Sequence, residues 1–219
     1  MIAVIDYGLG NLKSVHKAFK LLGYESKITT NRKQILDSQA IVFPGVGSFG
    51  DCMNELDGRN LISPIYDSIK SGKFFLGICL GLQILFNESE ESPGVKGLNI
   101  IDGAISKIKF SDDLKVPHMG WNKINIQKKS NVFDNIPNDS WMYFVHSYKF
   151  NLNAGLTLTK SCYGEDFSSS ISHENIFATQ FHPEKSSFQG LKVLENFAKI
   201  ASCCLLYTSD AADEEDSVD

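Results

Sequence analysis

The sequence has few of the features that mark membrane, secreted or nucleic-acid-binding proteins. None of its apolar stretches approaches the roughly 20 residues that a membrane span needs. The beginning, MIAVIDYG, has no basic region followed by a long apolar segment, so we predict a first strand there and not a secretory signal. There is no basic stripe, and nucleic-acid binding therefore has no electrostatic support. We expect a globular protein that acts on neither membranes nor nucleic acids.

Cysteine is scarce and shows no pairing pattern. The chain has five cysteines, an odd number, without the spacing of a disulfide framework. Unpaired cysteines are typical of a reducing compartment, so we predict a cytoplasmic location. We predict no metal site and no cofactor.

Charge is in excess only at the end of the chain. The formal net charge is −5, but the last ten residues, DAADEEDSVD, carry six acids and no base, so the rest of the chain has a charge of +1. The segment from Cys203 onward also lacks a helical period. We therefore predict one domain over residues 1–202, followed by an acidic, disordered tail over 203–219 that resembles translated cloning sequence more than an evolved end.

The order of predicted elements indicates an α/β domain. Segments that predict strands alternate with helical periods in the first half, and these strands are 2–7, 26–29, 40–45 and 73–79. The second half predicts short strands joined by turns, at 100–110, 122–127, 141–148, 156–163, 167–172 and 175–181, before a last helix. We predict a single domain with a central, mostly parallel sheet, helices on both faces and an antiparallel addition.

A cysteine interrupts the apolar run FFLGICLGLQILF at 74–86. Cys79 lies at the predicted end of a strand, just before a helix, between Gly77 and Gly81. This G-x-C-x-G pattern is the cysteine form of a nucleophile elbow, whose glycines permit a tight strand-to-helix turn. The helix N-terminus favours the thiolate. The alternative is an inert, buried core cysteine.

A cysteine nucleophile needs a base, and two histidines compete for that role. His182 and Glu184, in TQFHPEKS, are two residues apart, so in an extended segment they share a face and the carboxylate can orient the imidazole. His146, in YFVHSY, is the competing base or else a core histidine.

A glycine-rich segment follows the third predicted strand. We call Pro44–Ser48, with the sequence PGVGS, the glycine loop. Its backbone N–H groups and that of Leu80 are predicted to stabilise an oxyanion formed at Cys79. Gly45 and Gly47 flank Val46, so the peptide between them can turn over at little steric cost.

Taken together, these motifs resemble a known family. PGVG, GICLGLQ and TQFHPEKS, in this order, resemble the class I, triad-type glutamine amidotransferases, which have a flavodoxin-like fold. IDYGLGNLKSV, PHMGWN and YFVHSY are similar, within that class, to the HisH family, the glutaminase subunits of imidazole glycerol phosphate synthase. The resemblance covers about residues 1–201.

The resemblance implies a role for each matching residue. It makes Cys79 the nucleophile, His182 the general base and Glu184 its orienter in the hydrolysis of glutamine. Positions that hold glutamine in the family match Gln83, Glu91, Ser147 and Tyr148. Positions that face the partner match Asn11, Trp121, Tyr143 and Lys185. The implied partner is a TIM-barrel cyclase, which forms a heterodimer and receives the ammonia through a channel.

Three alternatives stay open at this point. Paralogous glutaminase subunits feed ammonia to sugar amidotransferases in surface polysaccharide synthesis, and FSSSISHENIFATQFHPEKSSF is similar to those as well. A non-catalytic docking scaffold is disfavoured because Cys79, His182 and Glu184 are all present. A hydrolase with the same elbow would not need PHMGWN or YFVHSY.

Overall fold

The architecture comes from a computed structural model that describes residues 1–109 and 114–210, with side chains through Ser202. The strands, β1 to β13 in chain order, are Ile2–Ile5, Ser26–Thr29, Ala40–Gly45, Phe74–Cys79, Glu88–Ser89, Ala104–Lys107, His118–Lys123, Asn125–Ile126, Trp141–His146, Tyr148–Phe150, Thr157–Tyr163, Glu165–His173 and Ile176–Thr179. The α-helices, α1 to α6, are Leu12–Leu21, Arg32–Leu36, Phe49–Gly58, Ile62–Lys70, Leu80–Gln83 and Ser187–Asp210. Short 3-10 helices span Asn131–Phe133 and Pro183–Lys185.

An eight-stranded sheet organises the domain, in the order β2-β1-β3-β4-β13-β12-β11-β8. The five strands from β2 to β13 in this order are mutually parallel, whereas β12, β11 and β8 pair in antiparallel fashion. The predicted α/β fold with a mostly parallel sheet and an antiparallel addition is therefore confirmed.

Helices cover both faces of the parallel half, which is why its strands are apolar throughout. On β3, Ala40 and Val42 pack into the core that contains Phe19 of α1, while Ile41 and Phe43 pack into the other core. The second core includes residues of α3 and α4. A strand buried on both faces carries a continuous apolar run instead of an alternating one.

Two smaller sheets flank the main one. Strands β10, β6 and β5 form a three-stranded sheet, and β7 pairs with β9 in an antiparallel ribbon. The register of this ribbon places Trp121 opposite Tyr143 and His118 opposite His146. Because side chains alternate across a strand, the two aromatic residues occupy one face and the two histidines the other.

Some predicted boundaries were wrong. The helix expected to begin in LGLQILF ends at Gln83, because the carbonyls of Ile84 and Leu85 accept hydrogen bonds from the segment around Leu98–Ile101 instead. The helical region before Lys70 is interrupted between Gly58 and Ile62, and Pro64 lies in the first turn of α4, where a missing N–H costs little. The strand predicted over 100–110 spans only Ala104–Lys107. Residue 110 lies outside the described residues.

The last helix reaches beyond the predicted end of the domain. Its backbone is helical to Asp210, past the boundary expected at Cys203, because a nucleated helix extends at low cost. Residues 211–219 of the predicted tail lie outside the described residues. Over 1–109 and 114–210, no helix has the length and apolar character needed to cross a membrane.

Candidate active site

A cavity of about 370 Å³ opens where β3, β4 and β13 end. Reactive groups collect at the carboxyl ends of strands in an open α/β sheet. Register places Gly45 beside Cys79 across β3 and β4, and β13 leads into His182. The cavity is lined by Val46, Gly47, Cys79, Leu80, Gln83, Glu91, Pro117, Val145, His146, Ser147, Tyr148 and His182.

Cys79 occupies a strained turn between β4 and α5. Its φ of 54° and ψ of −105° are unusual for a residue with a side chain, and such strain is characteristic of nucleophile elbows. A Cβ at Gly77 would lie 2.3 Å from the Gly81 carbonyl oxygen, and a Cβ at Gly81 would lie 2.2 Å from that of Phe43. Both flanking glycines are thus required by close backbone packing.

His182 and Glu184 form a buried pair. The Nδ1 of His182 lies 2.9 Å from Oε1 of Glu184, and both side chains are almost fully enclosed. A carboxylate only accepts, so Nδ1 carries the proton. Nε2 is buried and has no hydrogen-bond partner among the residues that the structure describes, so it is the nitrogen left for chemistry. Burial lowers the pKa of His182, but the neighbouring Cys79 and Glu184, as anions, outweigh it and raise that pKa to about 10. The protonated, imidazolium form of His182 is therefore favoured.

The backbone of His182 is tied to the β7–β9 ribbon. Its N–H donates to the carbonyl of Tyr143 at 2.9 Å. The buried hydroxyl of Ser186 donates to the His182 carbonyl at 2.6 Å and accepts from the Tyr143 N–H at 2.9 Å. These bonds couple the backbone of Tyr143 to the backbone segment that carries the imidazole.

The geometry argues against His146 as the base, the alternative left open by the sequence. Its Nδ1 donates to the Tyr148 carbonyl at 2.9 Å, so its Nε2 must accept from Nδ1 of His118 at 3.0 Å. The Nε2 of His118 then accepts from the amide of Asn122 at 3.3 Å. Burial lowers the pKa of His146 to about 3 and that of His118 to about 4. Both imidazoles are neutral at pH 7 and have their ring nitrogens engaged.

Tyr7 holds the glycine loop in one orientation. Its hydroxyl accepts from the Val46 N–H at 3.0 Å and donates to the Val46 carbonyl at 3.1 Å. The ring is fully buried and stacks on Phe43 with centroids 4.9 Å apart. Gly45 lies so close to the elbow that a Cβ there would be 2.6 Å from Cβ of Leu80. In this position the Val46 N–H is engaged by Tyr7.

The four residues expected to bind glutamine surround the cavity. Gln83 is buried and donates through Nε2 to the Tyr148 carbonyl at 3.0 Å. Glu91 accepts the Phe49 N–H at 2.7 Å through Oε2, at the start of α3. Ser147 lines the cavity next to Tyr148. The structure thus brings together residues that are distant in sequence, and their roles toward glutamine stay predictions.

Three of the four residues expected at a partner surface form one cluster. Trp121 is half exposed, and its ring meets that of Tyr143 edge-on with centroids 6.1 Å apart. The Nζ of Lys185 lies 5.8 Å from the centroid of the same Tyr143 ring. Asn11 precedes α1, which contacts the 3-10 helix containing Lys185. The Asn11 side chain does not cap α1 and accepts instead from Ser14 Oγ.

Sequence reasoning missed three residues that shape the site. These are Tyr7, Ser186 and Gln180, whose side-chain amide contacts the sulfur of Cys79. Gln180 and Ser186 lie in the same TQFHPEKS motif as the histidine, which was the one available signal. A polar residue inside a buried strand end is a candidate for function because burial without a partner is costly.

Comparisons with known proteins agree on the family. The model of the family described as glutamine amidotransferase class-I matches residues 3–201. Imidazole glycerol phosphate synthase subunit HisH of Methanocaldococcus jannaschii is 49% identical over 91% of this chain and 100% of its own length. The subunits with the same name from Geobacter metallireducens and Aquifex aeolicus are 43% and 44% identical, over 90% of this chain and 97% and 96% of their own lengths.

Solved structures with little sequence identity share the fold. A structure titled as a glutamine amidotransferase matches with a TM-score of 0.72 at 16% identity, over 92% of this chain and all of that chain. PurLQS from Thermotoga maritima matches with a TM-score of 0.71 at 18% identity, over 91% and 97%. Together with the matches in sequence, these findings establish that the chain belongs to the class-I glutamine amidotransferases and, within them, to the HisH family.

Proposed function

We propose that this chain is the glutaminase subunit of a cytoplasmic imidazole glycerol phosphate synthase. It hydrolyses glutamine to glutamate and ammonia and passes the ammonia to a TIM-barrel cyclase subunit in histidine biosynthesis. The observation that carries the proposal is the meeting of Cys79 and His182 at one cavity, with Glu184 bonded to the imidazole, in a chain of the HisH family.

The proposed reaction uses two nucleophilic steps. The Cys79 sulfur attacks the side-chain amide carbon of glutamine, and His182 gives a proton to the departing nitrogen, so a thioester and ammonia form. Water then attacks the thioester, His182 takes a proton from it and returns it to the sulfur, and glutamate leaves. Each addition makes an oxyanion, for which the N–H groups of Leu80 and the glycine loop are the nearest proposed donors.

Substrate binding is proposed to use the charged and polar wall opposite the sulfur. Glu91 uses Oε2 to hold the start of α3, which leaves Oε1 to accept from the α-ammonium group of glutamine. Gln83 uses its nitrogen within the protein, so its Oε1 is the atom that can accept from the substrate amide. Gly47, Ser147 and Tyr148 complete the wall.

The exposed face of the β7–β9 ribbon is the proposed docking surface for the cyclase. Met119 and Trp141 are exposed beside Trp121 and Tyr143, and large exposed apolar side chains that cluster in this way are typical of protein interfaces. The same ribbon holds the His182 backbone through Tyr143. A partner bound to this face would therefore contact the same strands that hydrogen-bond to the backbone of the proposed base, His182.

A coupled assay tests the proposal. The purified chain is mixed with a histidine-pathway cyclase subunit and its ribonucleotide substrate, and both glutamate and imidazole glycerol phosphate are measured. We expect both products in equal amounts, and the Cys79→Ala variant should form the imidazole product only when ammonium salt is added. A parallel reaction replaces the cyclase with a sugar amidotransferase and its acceptor. Ammonia transfer only in that reaction would favour the polysaccharide paralogue, and absence of glutamate in both reactions would favour the scaffold.

The docking surface has its own test. Trp121→Ala should weaken cyclase binding in a titration, because a half-exposed aromatic residue at an interface centre contributes strongly. Leu21→Ala is the matched control, since Leu21 is an exposed apolar residue at the far end of α1. Equal affinity of both variants and the wild type for the cyclase would show that the cyclase docks on another face of the protein.

A further inference from the structure

Gln180 is a fully buried polar residue that the proposed reaction does not use. It follows β13 and precedes His182 by two positions. Its Nε2 lies 3.6 Å from Sγ of Cys79, and its Oε1 lies 3.1 Å from Nε2 of Gln83. The backbone N–H of Gln180 donates to the Ser169 carbonyl, which fixes the start of the side chain.

The orientation of the Gln180 amide follows from its neighbours. The Tyr148 carbonyl can only accept, so the Gln83 atom 3.0 Å away must be the nitrogen. This same nitrogen contacts the end of the Gln180 side chain, which must therefore present its oxygen there. The remaining atom of the Gln180 amide, facing Cys79, is then the nitrogen, a donor.

The sulfur of Cys79 lies between one acceptor and one donor. In its neutral form the thiol donates to the Val145 carbonyl at 3.7 Å. Once the proton is lost, that carbonyl repels the thiolate, whereas the Gln180 N–H attracts it. Hydrogen bonds to an ionised group in a dry site are among the stronger ones.

We propose that Gln180 is a catalytic residue, whose side-chain N–H donates to the Cys79 thiolate and holds it ready for attack. This inference rests on the proposed glutaminase function. Gln83, which lines the cavity, keeps the Gln180 donor aimed at the sulfur, so the substrate wall and the nucleophile share one hydrogen-bond chain.

Alkylation of Cys79 by iodoacetamide tests the inference without glutamine. Gln180→Met keeps the length and removes the donor, whereas Gln180→Glu turns an acceptor toward the sulfur. At neutral pH we expect the alkylation rate to fall about tenfold in the methionine variant, the effect of one hydrogen bond to a charged group, and further in the glutamate variant. The kcat/KM for glutamine in the complex should fall in the same order.

Controls separate catalysis from folding. The same two substitutions at Gln127, which is exposed, should leave both rates unchanged. A purely structural Gln180 would lower the melting temperature and leave alkylation of the folded fraction within twofold of the wild type, and that result would overturn the inference. If neither variant folds, the Gln180 side-chain ¹⁵N–H signals of the wild type should shift when Cys79 is alkylated, and unchanged signals would also overturn it.

The test is independent of the proposed function. A wild-type complex that releases no glutamate would refute the glutaminase proposal, but the alkylation rates would still report on the contact between Gln180 and Cys79. Glutamate release at an unchanged rate in Gln180→Met would refute this inference alone.

Discussion

Replacement of Tyr7 by phenylalanine should activate the isolated subunit. Free ammonia is lost to water, so hydrolysis without an acceptor is wasteful, and we expect the isolated subunit to be a poor glutaminase that the partner with bound acceptor substrate activates. The Tyr7 hydroxyl bonds both polar groups of Val46, which holds the glycine loop in one orientation and keeps that N–H engaged. Loss of this hydroxyl removes what stabilises the resting orientation.

The size of the effect follows from the two hydrogen bonds. Each contributes about 1 kcal/mol net, so Tyr7→Phe shifts the balance between loop orientations by about 2 kcal/mol. A shift of about 1.4 kcal/mol is tenfold, so the active orientation becomes up to about 30-fold more populated. An oxyanion donor is worth about 10²–10³ in turnover, so the change in population is large enough to be read as activity.

The assay compares glutamate release in three states. These are the subunit alone, with the cyclase, and with the cyclase plus an acceptor analogue. We expect Tyr7→Phe to raise the first rate by about tenfold or more and to leave the third near that of the wild type, because a partner can only bias states that it binds unequally. Tyr66→Phe, a hydroxyl removal on α4, should change none of the three.

Two results would refute this reasoning. A basal rate of Tyr7→Phe equal to or below that of the wild type would show that the Val46 bonds do not restrain the loop. Equal rates of the wild type in all three states would show a constitutive glutaminase with no switch to release.

Four further predictions concern the nucleophile, its orienter, the tail and acid stability. Cys79→Ala should abolish glutamine hydrolysis, measured as glutamate release, without lowering the melting temperature, since only the thiol is lost. Glu184→Gln should lower kcat with KM nearly unchanged, because the carboxylate acts on the base and not on glutamine. Deletion of 203–219, which removes the end of α6 and the acidic remainder, should leave activity and melting temperature nearly unchanged, because we expect this segment to gain too little burial to offset its ordering entropy. The free energy of unfolding in urea should fall as pH drops from 6.5 to 5, and less steeply in His118→Gln, because burial lowers the pKa of His118 to about 4 and only the unfolded chain takes up its proton in that range.

Each of these predictions has a contrary outcome. Wild-type turnover in Cys79→Ala would show that Cys79 is not the nucleophile. A raised KM with unchanged kcat in Glu184→Gln would place Glu184 in the glutamine-binding site. A truncated chain that melts several degrees lower would show that the tail packs. Parallel pH profiles of the wild type and His118→Gln would mean that this imidazole is protonated in the folded protein.

The sequence by itself determined the α/β class and the positions of the first strands. The predicted strands 26–29 and 40–45 coincide with β2 and β3. For β3 the signal is local, because AIVFPG is a short apolar run that ends at a glycine. The elbow around Cys79 was also predictable, since two glycines beside a cysteine at a strand end permit few other turns. Predicted element boundaries were wrong where hydrogen bonds from distant backbone ended an element, as they do for the helix that stops at Gln83.

Only the tertiary structure decided which polar groups meet at the sulfur. Gln180 lies 101 residues from Cys79 along the chain, and Tyr7 lies 39 from Val46, so no local pattern could pair them. The choice between His182 and His146 likewise depended on His118, which reaches His146 through the register of the β7–β9 ribbon. The reason is physical: strand register sets which side chains are adjacent, and a buried donor or acceptor is satisfied by whichever partner that register brings within 3 to 4 Å.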